Sequence, residues 1–419
     1  MTAEIAIINR SGIALAADSA VTIGGDRVWK NSNKLFHLAP NADVGIMVFG
    51  NGGHCGLPWE VVIKQYRKYL GRRTHSKLTD YSEDFLTFLD SLNTPHPIQN
   101  DLNTYNNFLG VLKYARSAID EARTKTQKRA IFIAEMQALI KEIDDKPIIF
   151  EDYTIDEFTT EYSTQIQSFL NDGIDIHVTK TVLTAMINAC YEISIRTCAS
   201  GAETGVVFAG FGEQELLPVV QEITVDGTLD NKVRAWTNRI QDTNKDNSGG
   251  MVIPFAQSDI AHLLIEGLLP DYIKFMAHTL QGTLDRKSEE LVRDYVPEND
   301  KVVELARQRR ANEVMTDSFL GSFQETRMDA FVQPMMRVIG SLPKEEMAAV
   351  AEALVETTSL RRKMDSKLET VGGPVDVALI SKSDGFVWIK RKHYFNIELN
   401  QDFVQRRYER YAGENANDT

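Results

Sequence analysis

Thr2-Ala-Glu-Ile-Ala-Ile-Ile-Asn9, a turn, and then Gly12-Ile-Ala-Leu-Ala-Ala-Asp18 are the residues on which the reading of this 419-residue chain depends. Two apolar runs broken by Asn9-Arg-Ser-Gly12 predict a pair of strands. Thr2 follows the initiator Met, and that Met is removed when a small residue comes next. The mature chain is therefore expected to begin with a Thr carrying both a hydroxyl and a free α-amine. An α-amine titrates near ~8, so part of it is a neutral base at cellular pH. A hydroxyl nucleophile with its own base on the same residue is a workable catalytic arrangement. Many chains begin Met-Thr to no chemical purpose, so the neighbours decide.

Asp18 closes the second apolar run, where a carboxylate is unexpected unless it is paired or exposed. Lys34 opens the next strand candidate, Lys34-Leu-Phe-His-Leu38. Alone, Asp18 reads as a turn cap, and Lys34 as a side chain lying along a sheet edge and reaching water. Together they have a chemical use. A nearby ammonium favours the deprotonated forms of a hydroxyl and an amine. A buried ammonium in turn needs a carboxylate partner.

Outward from this start, Val44 to Phe49 is another strand candidate, ending in Gly50-Asn-Gly-Gly53. Helical periodicity then runs through Pro58 to Leu70, Tyr81 to Leu92, Tyr105 to Thr124, Arg129 to Ile143, Ile155 to Leu170 and Val178 to Thr197. Strands return at Gly205 to Phe211, Leu217 to Val225 and Val252 to Phe255. A second helical block spans Asp259 to about Met364, with a helix start at Leu342-Pro-Lys-Glu-Glu346. Val375 to Ser381 and Gly385 to Lys390 close the pattern as a hairpin around Asp384-Gly385. This order predicts an α+β fold: two antiparallel sheets face to face with helices outside, a four-layer αββα sandwich. One domain is expected over 2–412, with helical insertions at about 75–175 and 270–340 and a disordered polar tail at 413–419.

Hydrophobic residues make up 43% of the chain and charged residues 25%, an ordinary globular balance. A net charge of -13 argues against nucleic-acid or anionic-membrane partners, which need a basic surface. Cys55, Cys190 and Cys198 form no metal-like spacing and read as core residues in a reducing compartment. No run is long enough to span a membrane, and the N-terminus does not read as a targeting peptide. A cytoplasmic location is expected, with no metal and no cofactor. Gly50-Asn-Gly-Gly53 lacks the Gly-Lys-Ser/Thr of a phosphate loop. His37 and His54 have no nucleophile signature beside them and read as structural, and Lys390-Arg-Lys-His393 as a solvated edge.

The residues quoted from Thr2 to Lys34 resemble the start of proteasome β-type subunits, a family of N-terminal nucleophile hydrolases. That family sets an Asp sixteen residues after its Thr and a Lys sixteen after the Asp, as Thr2, Asp18 and Lys34 stand here. By resemblance Thr2 is the nucleophile, Lys34 its electrostatic activator and Asp18 the partner that orients Lys34. Gly50 is similar to the oxyanion glycine, whose N–H contributes about 3–4 kcal/mol to the transition state. Thr22 corresponds to a position whose backbone pairs with extended substrate. Val21, Ser32 and Val48 correspond to pocket residues that imply a modest apolar or neutral site. Val206 to Phe211 and Val225-Asp-Gly227, Leu342 to Arg362, and Gly372-Gly373-Pro-Val-Asp-Val-Ala resemble later family segments.

The family places an Asp and a Ser just before its Gly-Gly, whereas this chain has Leu368-Glu-Thr-Val371 there. A longer loop brings in Asp365, with Thr370 supplying the hydroxyl, and Ser258 takes the place of a further serine. Otherwise those contacts are lost, and the enzyme is slowed or inactive. The resemblance implies a threonine peptidase acting on peptides or proteins. Two readings stay beside it: a small-amide acylase on the same fold, and a silent assembly subunit. It also implies a homo-oligomer such as a ring, and an ATP-dependent unfoldase or other regulator as partner.

Overall fold

Ala3–Asn9 forms β1 and Gly12–Ala17 forms β2, and the return between them pairs Glu4 with Ala17 and Ile8 with Ile13. The computed structural model describes the chain except residues 1, 24–26, 93–100, 121, 123, 244, 246–248, 258, 365–371, 394, 397, 403–404 and 406–419. The expected tail at 413–419 therefore lies outside the described residues.

Six strands follow: β3 (Val21–Ile23), β4 (Arg27–Trp29), β5 (Leu35–Ala39), β6 (Ala42–Gly50), β7 (Gly53–His54) and β8 (Leu57–Pro58). Then come α1 (Trp59–Leu70), α2 (Leu78–Asp90), α3 (Leu102–Asp120), α4 (Lys125–Glu142), α5 (Ile155–Gly173) and α6 (Lys180–Ile195). Strands resume as β9 (Thr204–Gly210), β10 (Val219–Leu229), β11 (Lys232–Asp242) and β12 (Gly250–Ala256). The second helical block holds α7 (Asp259–Glu266), α8 (Pro270–Tyr295), α9 (Lys301–Arg327), a π-helical turn (Met328–Val332), α10 (Gln333–Ser341) and α11 (Lys344–Lys363). β13 (Asp376–Ser381) and β14 (Gly385–Lys390) complete the sheets.

One sheet runs β12-β1-β2-β13-β14 and the other β11-β10-β9-β6-β5, with antiparallel neighbours throughout. Their inner faces meet through Ala6, Ile8, Ile13 and Leu15 on one side and Leu35, Met47, Val207 and Val220 on the other. Because strand side chains alternate, Ile5, Ile7, Ala14 and Ala16 face outward. They pack on Met347, Ala351 and Val355 of α11. The second sheet turns Val44, Ile46, Val206 and Phe208 toward Trp59, Tyr66 and Phe85 of α1 and α2. The result is the four-layer helix–sheet–sheet–helix order expected from the sequence.

The helices between the sheets' halves have cores of their own. Around Phe108, Phe132, Phe158, Tyr162 and Met186, α3 to α6 form an aromatic cluster that reaches the sheet at Leu229. Thr124 and Thr154 start α4 and α5 with capping boxes closed by Gln127 and Glu157. α8 and α9 meet along a polar seam, in which Asn312 donates to Asp285 at 2.8 Å and Thr316 to Gln281 at 2.7 Å.

Strand β11 is absent from the periodicity reading. Its residues, Lys-Val-Arg-Ala-Trp-Thr-Asn-Arg-Ile-Gln-Asp, form a polar edge strand that is mostly exposed or half-buried. Its signal is the two-residue connection Asp230-Asn231, with φ of 51° and 57°, the pattern of a tight hairpin turn. By contrast, Asp226-Gly227 does not end β10. The strand runs on to Leu229 through a register shift after Val225. The basic cluster near residue 390 also departs from a solvated edge: Lys392 pairs with Asp376, and Lys390 with Glu352.

Arg234 of β11 ties α6 to the second sheet. Its guanidinium pairs with Asp226 and donates to the carbonyls of Ser194 at 2.8 Å, Ile193 at 3.0 Å, Arg196 at 2.5 Å and Cys198 at 2.6 Å. Both members of the pair are buried. Removing one partner of such a pair strands the other charge and costs about 3–5 kcal/mol. Arg234→Ala is expected to lose that much in a urea unfolding series and to leave any chemistry at Thr2 unchanged per folded molecule.

Candidate active site

The β1–β2 hairpin and the start of β5 bring Thr2, Asp18 and Lys34 together. Asp18 follows β2 directly, and its N–H donates to the Ala3 carbonyl at 3.1 Å, so it lies beside the first residues of β1. Lys34 immediately precedes β5 in the facing sheet. Its Nζ donates to Thr2 Oγ1 at 2.9 Å and to Asp18 Oδ1 at 2.6 Å. All three residues are buried.

Asp18 is fully used as an acceptor. Besides Lys34 it takes the N–H of Ala3 at 3.1 Å, of Ala20 at 3.2 Å and of Gly372 at 2.9 Å. The last bond reaches across the chain to the Gly-Gly segment ahead of β13. Ser19, which the sequence reading passed over, adds two more ties there. Its N–H donates to Gly372 O at 3.2 Å and its hydroxyl to Pro374 O at 2.5 Å. Gly373 has φ +82°, and a Cβ there would stand 2.7 Å from Lys30 O, so only glycine lets the two segments approach this closely. Thr2 is fixed from its other side by Gln257, whose N–H donates to Thr2 O at 3.1 Å.

Gly50 ends β6 with φ +88°. Val48 N–H donates to Lys34 O at 3.0 Å, and Asn51 N–H to Glu203 O on the opposite edge at 3.1 Å. Strand alternation therefore directs the Gly50 N–H to the edge on which Lys34 stands. Val21 is half-buried and pairs with Trp29 in the β3–β4 hairpin, where the Thr22 backbone pairs with Val28. Ser32 is half-buried, and its N–H donates to Ser19 O at 3.0 Å. Val48 is buried in the cluster beneath α1 and α2. Asp365, Thr370 and Ser258 lie outside the described residues.

Glu4 is the group that the sequence reading missed. It is fully buried, on the same face of β1 as Ala6 and Ile8, which places it between the sheets. Burial holds its carboxyl well above the ordinary glutamate range; the Lys34 ammonium pulls it partly back and the Asp18 carboxylate pushes it further up. Well below pH 4.5 this carboxyl is neutral whether the chain is folded or not. Above that, the unfolded chain loses the proton first, so Glu4 costs stability progressively until pH passes its raised folded value.

His37 stacks on Phe386 and His54 lies against Trp59, and burial pushes both imidazoles down to about 4. Burial raises the Cys55 thiol to about 11 and holds those of Cys190 and Cys198 above their ordinary value, so all three are poor nucleophiles near neutrality. Among the described residues no group of His, Cys, Asp and Glu could hold a metal ion, and no helix is long and apolar enough to cross a membrane.

No protein-family model matches the chain, and no curated protein matches it. Among solved structures, Anbu from Hyphomicrobium sp. strain MC1 is 10% identical over 98% of this chain and 97% of that one, at a TM-score of 0.29. The (Gly-1) mutant of Anbu from that strain has the same identity and coverage at a TM-score of 0.30. Anbu (ancestral beta-subunit) from Yersinia bercovieri is 9% identical over 98% and 96% of the two chains, at 0.29. Likeness at these TM-scores carries no argument, and the fold rests on the sheet order and layering described above.

Proposed function

We propose that this chain is a threonine-type N-terminal nucleophile hydrolase of proteasome β-like kind, cleaving peptide amide bonds through an acyl-enzyme on Thr2. The observation that carries the reading is the buried contact of Lys34 Nζ with both Thr2 Oγ1 and Asp18 Oδ1, at 2.9 and 2.6 Å. A threonine hydroxyl that needs no activation has no use for a buried ammonium aimed at its oxygen.

In the proposed reaction, Thr2 Oγ1 attacks the substrate carbonyl carbon as its proton passes to the α-amine. Lys34 stabilises the negative charge that develops on Oγ1, and Gly50 N–H receives the oxyanion. Collapse breaks the C–N bond, and the α-ammonium protonates the leaving amine. Water, deprotonated by the regenerated α-amine, then attacks the Thr2 ester and releases the acid. The β3–β4 hairpin, with Val21 and Thr22, is read as the edge along which an extended peptide lies, and Ser32 and Val48 as walls of its pocket. By the same resemblance, the helices at about 75–175 and 270–340 are read as insertions. Copies of the chain are read as assembling into a homo-oligomer that an unfoldase could serve.

The test is intact mass. Native protein is expected to lack Met1 and to gain one acyl group at Thr2 when treated with a β-lactone. Retained Met1, or acylation elsewhere with Thr2 untouched, overturns the mechanism.

A further inference from the structure

Glu4 lies on β1 and Thr2 two residues before it, just ahead of the strand, where the Gln257 N–H bond to Thr2 O carries the extended pairing on; their side chains therefore share the face that looks into the inter-sheet space. Register puts Ala17 of β2 on one side of Glu4 and Phe255 of β12 on the other, both part of the inter-sheet core. Neither carboxyl oxygen has a hydrogen-bond partner among the described residues. Among the described residues, the charges that act on it are Lys34, from the segment entering β5, and Asp18, which follows β2. On β11, Arg239 approaches the Phe255 ring, its guanidinium carbon 5.9 Å from the centroid, but Arg239 is not among the charges acting on Glu4. An apolar side chain of similar size would pack here without the cost of burying an unsatisfied acid. A carboxyl that shares the face of Thr2 and feels the charge of Lys34, which donates to Thr2, has a use other than packing.

We propose that Glu4 is a positioning residue that acts on Thr2 through Lys34, its neutral carboxyl adding no second negative charge to the Lys34–Asp18 pair and its ionised carboxylate opposing the help that Lys34 gives the nucleophile. This rests on the reading of Thr2 as the nucleophile. With Glu4 neutral, Lys34 and Asp18 balance, and the site tolerates the negative charge that develops on the substrate. Once Glu4 loses its proton, the pocket carries one extra negative charge. That charge opposes the oxyanion and holds the α-amine in its protonated form. Reactivity of Thr2 is thus expected to fall on the alkaline side, by about tenfold for one added charge in a poorly screened pocket.

Two measurements test this. The first needs no activity: infrared difference spectra of wild type against Glu4→Gln isolate the Glu4 carboxyl band, which is titrated in wild type and in Lys34→Met. The band of the protonated acid is expected to persist above the pH at which an ordinary glutamate ionises, and its loss should move to higher pH in Lys34→Met, where the cation that eases ionisation is gone. A Glu4 that ionises in the ordinary glutamate range, or the same titration in both proteins, overturns the proposal. The second follows β-lactone acylation of Thr2 by intact mass across pH. Wild type should show the alkaline fall, and Glu4→Gln, with Glu4→Leu as a second uncharged variant, should not. An unchanged fall in the variants also overturns it. If Thr2 is acylated at no pH in any of these proteins, the hydrolase reading fails, while the infrared titration still decides whether Glu4 and Lys34 are coupled.

Discussion

Thr2→Ala is expected to leave a folded protein whose amide hydrolysis is reduced by about a thousandfold or more, the loss that follows removal of an acylated nucleophile. Thr2 makes its side-chain contact with Lys34, and Lys34 keeps Asp18 when that contact goes. The cost to stability should therefore be that of one lost buried hydrogen bond, about 1–2 kcal/mol. Ala is as small as Thr for an aminopeptidase, so any Met1 removal is expected alike in both proteins and the comparison isolates the hydroxyl. Thr2→Ser retains a hydroxyl and an α-amine and should retain hydrolysis. Steady-state rates on a peptide amide, with the melting temperature of each variant, make the measurement. Unchanged hydrolysis in Thr2→Ala would end the proposed mechanism.

The trio at the site was legible through its charge logic and the resemblance, and the chain path shows why those residues meet. One tight hairpin carries the chain from Thr2 back to Asp18, and a second excursion through β3 and β4 returns it at Lys34. The paired sixteen-residue spacings record those two returns. The layer order was legible for a similar reason, since strands and helices alternate in blocks and two sheets with half-apolar faces have few ways to close.

Glu4 was hidden by the same periodicity that exposed the strand. A Glu between Ala and Ile ordinarily marks the wet face of an antiparallel strand. Here β1 is covered on one side by α11 and on the other by the second sheet, so both faces are dry. Nothing local in Thr2-Ala-Glu-Ile records that second cover. β11 was hidden by composition. An edge strand need not be apolar, and its clue lay in the turn before it, where two adjacent residues hold positive φ. Asp365, Thr370 and Ser258 fall outside the described residues, so their assignments rest on the resemblance alone.

Asp18→Ala carries the other large effect, because it removes stability and the Lys34 alignment in one step. The carboxylate receives Lys34 Nζ and three backbone N–H groups drawn from Ala3, Ala20 and Gly372. Without it, the buried Lys34 ammonium loses its hydrogen-bonded counter-charge, at about 3–5 kcal/mol. Three buried N–H groups lose their acceptor as well, and each such loss costs about 1–3 kcal/mol unless water enters the space left by the carboxylate. Asn is not a neutral substitute. Each Asp18 oxygen faces two donors, so one pair would meet the Asn NH2 group, donor against donor. Asp18→Asn is therefore expected to fall near Asp18→Ala rather than near wild type. A urea series should show a lower midpoint for both variants with little change in slope. Acylation of Thr2, measured where the variants are still folded, should drop further than the unfolded fraction explains, because Lys34 is no longer held against Oγ1. If Asp18→Ala instead unfolds within 1 kcal/mol of wild type and Thr2 reacts as before, then Asp18 neither anchors Lys34 nor joins the N-terminal hairpin to the Gly372 segment.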